Sequence, residues 1–375
     1  MVKYYFTLYL FLLVIFITFP AHEIIAQKTG NKPFRLAVAG ITHGHVPWIL
    51  GRENDSAIEL VGIFETNKKL VKKYALKFNL DIALFYSNLE KMLDEVKPEG
   101  LVAFGSIYEH MAAVEAAAPR SIHVMVEKPL ATNLEHAVRM QTLSAKHNIH
   151  ILTNYETSWF PSTHKVYELA IDSNYAGAIK KAVFHHGHQG PKEIGVENEF
   201  LEWLTDPVQN GGGALIDFGC YGANIMTWLM KDEKPISVQA VTRQFKPGIY
   251  PRVDDEATII VSYPSAQCII QASWNWPFGR KDMEIYGENG YVMAVDGNTM
   301  RIRNDTNPGE QTIKANPVEP IPEADPFLYF AGVVRGNIIV PPHGLYSLEN
   351  NIMVVRILEA ARESAKTGKT ILLKD

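Results

Sequence analysis

The amino-acid sequence predicts an α/β fold in two parts, a doubly wound parallel sheet followed by an α+β domain with a large, mostly antiparallel open sheet. Short apolar runs alternate with helical patterns between Phe34 and Asn154, which is typical of βαβ units. Longer strand candidates follow, and Tyr286–Gly290 has the composition of a hairpin turn. The chain has 375 residues, of which 47% are apolar, enough material for two domain cores.

In the first part, short apolar runs predict buried strands, and apolar residues at helical spacing predict the helices between them. The predicted strands are Phe34–Ala39, Glu59–Phe64, Leu101–Phe104, His123–Val126 and Ile149–Thr153. The predicted helices are Asn67–Phe78, Met111–Ala118 and Leu134–His147. Right-handed crossovers between such strands place ligands at the carboxyl ends of the strands.

In the second part, the strand candidates are longer and only a few helices interrupt them. The predicted strands are Ile179–His186, Ile236–Thr242, Ala257–Ser262, Cys268–Trp274, Met283–Tyr286 and Tyr291–Ala294. The predicted helices are Ser162–Ile171, Ala214–Leu229 and Leu348–Thr367, the last of them ended by Gly368.

The first residues have the pattern of a secretory signal peptide. Lys3 precedes an uninterrupted apolar run from Tyr4 to Phe19, which is short for a membrane span. We predict a signal peptide at 1–26, with cleavage after Ala26, and an exported, periplasmic mature protein without a membrane segment. An uncleaved segment that anchors the protein in the membrane is the alternative.

Composition excludes several classes of protein. The net charge of −5, without a dense basic run, argues against a nucleic-acid partner. The two cysteines, Cys220 and Cys268, exclude a disulfide scaffold and a cysteine-rich zinc site. His186 and His188 share one strand face, but no third ligand is evident nearby, so no metal is predicted.

The turn after the first strand, Gly40–His45, resembles a dinucleotide-binding turn only in part. The Rossmann fingerprint needs glycine at its first, third and sixth positions, and Thr42 and His45 replace the second and third glycines. We expect Gly40, Thr42, His43 and His45 to contact a cofactor, with the Thr42 hydroxyl facing a phosphate. A strand–helix turn without a ligand is the alternative.

Glu65 ends the second predicted strand. An acid at this position can accept hydrogen bonds from the ribose hydroxyls of the adenosine, and it repels a 2′-phosphate. The sequence therefore favours NAD over NADP, although Glu65 can also be read as an ordinary exposed acid.

The segment Glu127-Lys128-Pro129 follows another predicted strand and places a lysine at the ligand-binding edge of the sheet. Pro129 restricts the backbone of Lys128 and permits a cis peptide bond. An ammonium group fixed there can bind a substrate hydroxyl and stabilise its alkoxide while a hydride leaves.

Several segments, taken in order, resemble the glucose–fructose oxidoreductase / inositol dehydrogenase (Gfo/Idh/MocA) family. They are the turn Gly40–His45, the acid Glu65, His110, Glu127-Lys128-Pro129, the glycine-rich Gly211–Tyr221, Val253-Asp254-Asp255 and Ser364–Lys369. The resemblance implies a Rossmann nucleotide-binding domain at 33–154 and a substrate-binding and dimerisation domain at 155–345. The helix at 347–367 is expected to pack back on the first domain.

The resemblance also implies site residues and a substrate class. Lys128 matches the active-site lysine of the family and Asp217 its aspartate, while Tyr221 stands where many members have a catalytic histidine. Tyr221 needs a nearby cation to act as a base, which Lys128 could supply; a substrate-orienting hydroxyl is the alternative. The family's substrates are usually sugars or polyols, and a homo-oligomer is expected.

Further candidates lie at the same edge of the sheet. His110, Glu127 and Lys128 are expected to contact the cofactor. Substrate is expected to contact Lys128, Asp217 and Tyr221. It is also expected to contact Asn154, Tyr155, His186 and His188, and Glu156 follows Tyr155 in the chain. Trp159, Trp203, Trp274 and Trp276 are candidate stacking platforms for a sugar.

The sequence leaves three functions open. The first is an exported NAD-dependent oxidoreductase that acts on a sugar, glycoside or polyol hydroxyl. The second is a glycoside-cleaving hydrolase or lyase, in which a retained NAD transiently oxidises the sugar. The third is a protein that binds a sugar or a partner without catalysis.

Overall fold

A parallel sheet of six strands forms the first half of the structure, a computed structural model that describes residues 32–52, 55–317 and 324–373. The strands are β1 (Phe34–Ala39), β2 (Ile58–Phe64), β3 (Phe85–Tyr86), β4 (Gly100–Ala103), β5 (His123–Glu127) and β6 (Ile151–Asn154). Their order is β3-β2-β1-β4-β5-β6, and all are parallel. The predicted signal peptide at 1–26 lies outside the described residues.

Helices connect these strands, and asparagine side chains begin three of them. The helices are α1 (Pro47–Leu50), α2 (Lys68–Lys77), α3 (Leu89–Val96), α4 (His110–Ala117) and α5 (Leu134–His147). Asn67, Asn88 and Asn133 accept hydrogen bonds from backbone N–H groups in the first turns of α2, α3 and α5. The helix after β1 is short because it begins only at Pro47, beyond the Gly40–His45 turn.

The second half of the chain builds a nine-stranded sheet with helices before, between and after its strands. Its elements begin with α6 (Pro161–Tyr167), β7 (Ile179–Gly187), α7 (Asn198–Leu204), α8 (Ala214–Asp217) and α9 (Gly219–Met230). They continue with β8 (Ser237–Arg243), β9 (Glu256–Ser262), β10 (Gln267–Ser273), β11 (Arg280–Gly287), β12 (Gly290–Ala294), β13 (Thr299–Asn304), β14 (Asn307–Lys314), α10 (Pro326–Val334), α11 (Leu348–Thr367) and β15 (Ile371–Leu372).

The order of the second sheet is β14-β13-β12-β11-β7-β10-β9-β8-β15. The pair β7–β10 is parallel and the remaining pairs are antiparallel. The predicted fold class is therefore confirmed: a doubly wound parallel sheet is followed by a large and mostly antiparallel one.

The predicted helix Ala214–Leu229 is wrong in one respect, because the structure divides it at Phe218 into α8 and α9. The backbone N–H of Tyr221 bonds to the carbonyl of Phe218 and not to that of Asp217. The Asp217 carbonyl is thereby free to accept from Lys128. The break in the helix therefore serves the site.

The two sheets share one core within the unit that begins at Pro33. Helix α11 lies between them, in contact with α5 and β6 on one side and with α9 and β8 on the other. No helix among the described residues is long and apolar enough to cross a membrane.

Candidate active site

A cavity of about 510 Å³ opens at the carboxyl ends of β1, β2 and β4, beside the Gly40–His45 turn. Gly40 has a φ of +78°, and a Cβ at this position would lie 2.8 Å from the Cα of Gly105. Only glycine allows the turn to adopt this conformation and to pass so close to the next loop. The turn therefore keeps the first requirement of a dinucleotide-binding fingerprint although two of its glycines are absent.

Two unpaired polar atoms on residues that line this cavity fit a nicotinamide dinucleotide. The hydroxyl oxygen of Thr42 and Nε2 of His110 are buried without a hydrogen-bond partner among the residues that the structure describes. His110 Nδ1 donates to the carbonyl of Leu130, so the neutral ring leaves Nε2 as an acceptor. Burial lowers the pKa of His110 to about 4, which keeps the ring neutral. A ribose hydroxyl could donate to Nε2 of His110, and the Thr42 hydroxyl could donate to a phosphate oxygen.

Glu65 lies on the wall of the same cavity, as expected for a ribose-binding acid. Its Oε1 accepts from the backbone N–H of Asn67, at 2.7 Å, which fixes the carboxylate at the end of β2. Burial, together with the nearby carboxylate of Glu109, raises the pKa of Glu65. Both carboxylates line the cavity.

His43, His45 and Glu127 form a hydrogen-bonded cluster at the inner end of the turn. His45 Nδ1 donates to Oε2 of Glu127 at 3.1 Å, and the Asn154 amide donates to Oε1 at 2.7 Å. Burial opposes ionisation of Glu127, but the histidines and the amide together lower its pKa to about 2. The ring of His45 stacks on Trp48, with centroids 4.1 Å apart. Glu127 is thus a carboxylate held from both sides.

The same three side chains could also act as ligands of a metal ion, because their ligand atoms lie within 4.8 Å of one another. Among the described residues, no other group of three or more such side chains has this spacing. His43 Nδ1 accepts from the backbone N–H of His45, so the neutral ring carries its hydrogen on Nε2. That nitrogen is the one that faces Glu127, at 3.8 Å. A protonated nitrogen cannot ligate a metal, and we assign the cluster to hydrogen bonding. Neither His186 nor His188 belongs to it.

Lys128 and Asp217 form a buried ion pair between β5 and the break after α8. Lys128 Nζ donates to Oδ1 of Asp217 at 2.6 Å and to its backbone carbonyl at 3.0 Å. Trp274 Nε1 donates to Oδ2 at 3.0 Å. Burial disfavours both charges, yet each partner stabilises the other, so the pKa of Lys128 is raised and that of Asp217 is lowered. The peptide bond between Lys128 and Pro129 is cis.

Tyr221 lies beside this ion pair, with the centroid of its ring 5.0 Å from Lys128 Nζ. The expectation that Lys128 would make Tyr221 acidic is not met. Burial, with the nearby carboxylate of Glu156, raises the pKa of Tyr221 well above its usual value. The ammonium faces the ring and is already paired with Asp217, so it does not compensate for burial. Tyr221 therefore keeps its proton at neutral pH.

Three of the predicted substrate-binding residues lie behind the site and support it. Both ends of the Asn154 amide are engaged, one by Glu127 and the other by the indole N–H of Trp159. Tyr155 and His186, 0% and 1% exposed, pack against Tyr221 with centroids 5.6 Å and 5.3 Å from its ring. Both side chains thus lie behind Tyr221, which is itself 2% exposed, and neither lines the second cavity, so their contact with substrate stays a prediction.

The candidate tryptophan platforms also need correction. Trp274 is fully buried and bonds to Asp217, and Trp203 is 7% exposed. Neither side chain can stack on a sugar in this arrangement, because each is covered by protein. Trp274 instead holds the second carboxylate oxygen of the Lys128–Asp217 pair.

A second cavity, of about 520 Å³, lies on the side of the nine-stranded sheet and is lined by His188, Glu156 and Lys281. His188 Nδ1 accepts from the backbone N–H of Gly190 at 2.9 Å, so its neutral ring presents an Nε2–H donor. Burial lowers the pKa of His188. The prediction that His188 meets a ligand thus fits its position on the cavity wall.

Lys281, on β11, is a site residue that sequence reasoning missed. Its ammonium pairs with Glu156, and its Nζ lies 5.3 Å from the centroid of the Tyr221 ring. The register of the second sheet sets Lys281 opposite His186. The sequence carries no local signal for this position, because a lysine in a half-exposed strand is ordinary and the partner lies 125 residues away.

A long connection between β7 and α8, residues 188–210, crosses to the parallel sheet; we call it the strap. Glu197 and Glu199 on the strap bind Lys73 on α2 at 2.7 Å and 2.8 Å, and Lys77 binds Glu197 at 3.1 Å. These pairs fasten the strap across the cofactor side of the molecule.

Aromatic residues of the strap cover the Gly40–His45 turn. A Cβ on Gly44 would lie 3.2 Å from the ring of Phe200, and Trp203 stacks on His43 with centroids 5.7 Å apart. His43 is consequently 3% exposed, and it is absent from the wall of the first cavity. The prediction that His43 contacts the cofactor needs correction, because the strap covers its ring.

Two protein-family models match the chain. The model described as an oxidoreductase family with an NAD-binding Rossmann fold matches residues 34–155. The model of the GFO/IDH/MocA C-terminal domain matches residues 166–293. Together they cover the parallel sheet, strands β7 to β12 of the second sheet, and the residues Lys128, Asp217 and Tyr221.

Characterised proteins with similar sequences include dehydrogenases. D-xylose 1-dehydrogenase [NADP(+)] of Haloarcula marismortui is 24% identical over 155 residues, 41% of this chain and 42% of that protein. Trans-1,2-dihydrobenzene-1,2-diol dehydrogenase of Mus musculus is 22% identical over 226 residues, 60% of this chain and 63% of that protein. The alignments thus span less than two thirds of the length of either relative.

Solved structures with the same fold cover nearly the whole chain. An inositol dehydrogenase homologue of Azotobacter vinelandii, complexed with NAD⁺, has a TM-score of 0.79 at 17% identity and covers 91% of this chain and 98% of its own. The aldose-aldose oxidoreductase of Caulobacter crescentus, complexed with glycerol, has a TM-score of 0.75 at 18% identity and covers 90% of this chain and 99% of its own. At these identities the likeness establishes the fold.

Proposed function

The chain belongs to the GFO/IDH/MocA oxidoreductase family, and from this premise we propose that it is an NAD-dependent oxidoreductase that moves a hydride between nicotinamide and a hydroxyl-bearing carbon of a sugar, glycoside or polyol. The observation that carries the proposal is the buried Lys128–Asp217 pair beside Tyr221, at the carboxyl edge of the parallel sheet. That edge is where open α/β sheets bind ligands.

The first cavity suits the adenosine half of the cofactor, with Glu65 facing the ribose and Thr42 and His110 supplying unpaired polar atoms. When bound, nicotinamide supplies the hydride acceptor or donor. We further propose NAD and not NADP, because Glu65 and Glu109 both line the cavity where a 2′-phosphate would have to lie.

Lys128 is the group that binds the reacting oxygen. An ammonium has three N–H donors, and Asp217 takes two of those on Lys128. The remaining donor can meet a substrate oxygen, and its charge stabilises the alkoxide character that develops as the C–H bond breaks. Asp217 positions Lys128 and preserves its charge.

Tyr221 is the group that exchanges the hydroxyl proton. Because its pKa is raised, it is a phenol at neutral pH and can donate a proton to a carbonyl oxygen during reduction. In the oxidation direction the same oxygen must first lose its proton, so alcohol oxidation is expected to be slow at neutral pH and faster in alkali.

The experiment is NADH formation at 340 nm with D-glucose, D-xylose, D-galactose, myo-inositol and their methyl glycosides. We expect turnover by the wild type and a loss of at least about 100-fold in kcat for Lys128→Met, with unchanged NAD⁺ binding. Lys180→Met is the control, since Lys180 pairs with Glu288 on the surface of the nine-stranded sheet, away from Lys128. Equal turnover by Lys128→Met and the wild type would contradict the role of Lys128.

A second candidate function, glycoside cleavage with a retained cofactor, is favoured by one observation. The strap covers the Gly40–His45 turn and is fastened to α2 by three ion pairs, which suits a cofactor that stays bound between turnovers. Product analysis separates the two functions: oxidation yields a keto sugar and NADH, whereas cleavage yields a free sugar without net redox change. A sample that neither retains nor binds a nicotinamide dinucleotide would favour a non-catalytic binding protein.

We propose export to the periplasm, since the run from Tyr4 to Phe19 has the pattern of a signal peptide and Ala26 precedes a polar stretch. The mass of the protein recovered from a periplasmic extract tests cleavage after Ala26.

We also propose a homo-oligomer, since Val241 and Phe245 leave apolar surface exposed beside the nine-stranded sheet. Light scattering of the purified protein tests this.

A further inference from the structure

Glu156 and Lys281 form an ion pair that the proposed chemistry does not use. Glu156 follows β6 of the parallel sheet and Lys281 lies on β11 of the other, so the pair joins the two halves of the site. The side chains are 31% and 24% exposed, and both line the second cavity. Burial opposes ionisation of Glu156, but Lys281 lowers its pKa, so the partners face the cavity as carboxylate and ammonium.

The pair retains hydrogen-bonding capacity on both sides. Within the described part of the chain, Lys281 Nζ donates to Glu156 Oε2 alone, which leaves two of its three N–H donors. Glu156 Oε1 has no partner there, while Oε2 lies 3.9 Å from Nε2 of His45. The free groups are thus donors on one side chain and an acceptor on the other, a few ångströms apart. A hydroxyl group, which both accepts and donates, satisfies the two together.

The pair also stands between the second cavity and the reacting group. Lys128 and Tyr221 do not line this cavity, whereas Lys281 lines it and reaches to 5.3 Å from the Tyr221 ring. Lys128 Nζ lies 5.0 Å from the same ring. A molecule that occupies the cavity and places one oxygen on Lys128 must therefore extend past the Glu156–Lys281 pair.

We propose that Glu156 and Lys281 form a second hydroxyl-binding site, which recognises the hydroxyl on the carbon next to the one that reacts. The substrate is then a vicinal diol, with one oxygen on Lys128 and its neighbour between Lys281 and Glu156. This inference rests on the proposed function and specifies its substrate: a deoxy or O-methylated neighbour leaves the carboxylate without its donor. An amine in that place would meet the charge of Lys281.

The test compares matched substrates in matched variants. The parent sugar is whichever of D-glucose, D-xylose, D-galactose and myo-inositol the wild type oxidises fastest, and each monodeoxy derivative of it is measured beside it as kcat/KM. The variants are Lys281→Met and Glu156→Gln, with Lys180→Met as the control for loss of a lysine from an ion pair on the same sheet. Circular dichroism and melting temperature report whether each variant is folded.

We expect the wild type and Lys180→Met to prefer the parent over one monodeoxy derivative by roughly 10- to 100-fold. Lys281→Met should oxidise the two within about threefold of each other, because it loses rate on the parent only. Glu156→Gln keeps the shape of the side chain and should lose part of the preference for the parent sugar over its monodeoxy derivative. If Lys281→Met does not fold, the result for Glu156→Gln tests the proposal.

Full preference in both variants would overturn the proposal. An equal loss on parent and deoxy substrates would do the same, because it would show a purely structural ion pair. No turnover of any sugar by the wild type would refute the proposed function, and this inference with it.

Discussion

At the scale of single residues, the site depends on charges that are buried but paired. Lys128 and Asp217, each 6% exposed, hold one another through two hydrogen bonds, and Trp274 occupies the remaining carboxylate oxygen. A lysine alone in this position would have a lowered pKa, because burial disfavours the ammonium. Asp217 therefore keeps Lys128 charged, and the charge is what the proposed chemistry requires.

The raised pKa of Tyr221 predicts the pH dependence of the reaction. Below that pKa the deprotonated fraction grows tenfold with each pH unit, so kcat/KM for alcohol oxidation should rise by about tenfold per unit, roughly 100-fold between pH 7 and pH 9. Carbonyl reduction, which uses the phenol, should be flat over the same range. Tyr221→Phe should abolish the slope for oxidation, and an unchanged slope in that variant would assign the proton to another group.

The Lys128–Asp217 pair predicts a stability pattern that urea unfolding can measure. Lys128→Met and Asp217→Asn should each lower the free energy of unfolding by about 3 kcal/mol, because each leaves one buried charge without its partner. The double variant should lose clearly less than the sum of the single losses. Additive losses would show that the two charges are stabilised independently of each other.

At the scale of secondary-structure elements, the breaks and connections shape the site as much as the regular parts do. The division between α8 and α9 at Phe218 turns the carbonyl of Asp217 toward Lys128. The strap, residues 188–210, brings Phe200 and Trp203 over the cofactor turn. A helix and a loop from the second half of the chain thereby complete a site that begins on the first sheet.

The ion pairs between the strap and α2 predict control of cofactor exchange. Lys73→Ala removes contacts to both Glu197 and Glu199, so release of NADH, followed by stopped-flow fluorescence, should become roughly three- to tenfold faster. Added salt should accelerate release from the wild type and have less effect on the variant. Lys72→Ala, on the same helix, is the matched control, and an equal acceleration in both variants would separate the strap from cofactor exchange.

At the scale of the whole molecule, the sequence predicts the two sheets well, for a physical reason. The strands of the parallel sheet are buried on both faces and therefore appear as short, mostly apolar runs, as in Phe34–Ala39. Helix α11 matches its predicted bounds, Leu348–Thr367, because Ser347 and Gly368 mark its ends. The hairpin of β13 and β14 escaped prediction, since its outer strand is exposed and nearly all polar.

The site was predictable only where its residues belong to local motifs. Glu127, Lys128 and Asp217 stand in segments with recognisable composition, and the structure brings Lys128 and Asp217 together across 89 residues. Lys281 and the strap were missed, because their partners are set by the register of β11 on β7 and by the path of a long connection. Burial decides the remainder: pattern alone cannot show that His186 lies behind Tyr221 while His188 faces a cavity.

The central claim is that a hydride passes between a sugar carbon and nicotinamide at Lys128. Its most direct test is mass spectrometry of the cofactor after incubation of the enzyme and NAD⁺ with D-glucose, D-xylose, D-galactose and myo-inositol deuterated on all carbons. We predict that the NADH formed by the wild type carries one deuterium on its nicotinamide ring, and that Lys128→Met forms no labelled NADH. A cofactor that stays unlabelled in the wild type with every sugar would contradict the account.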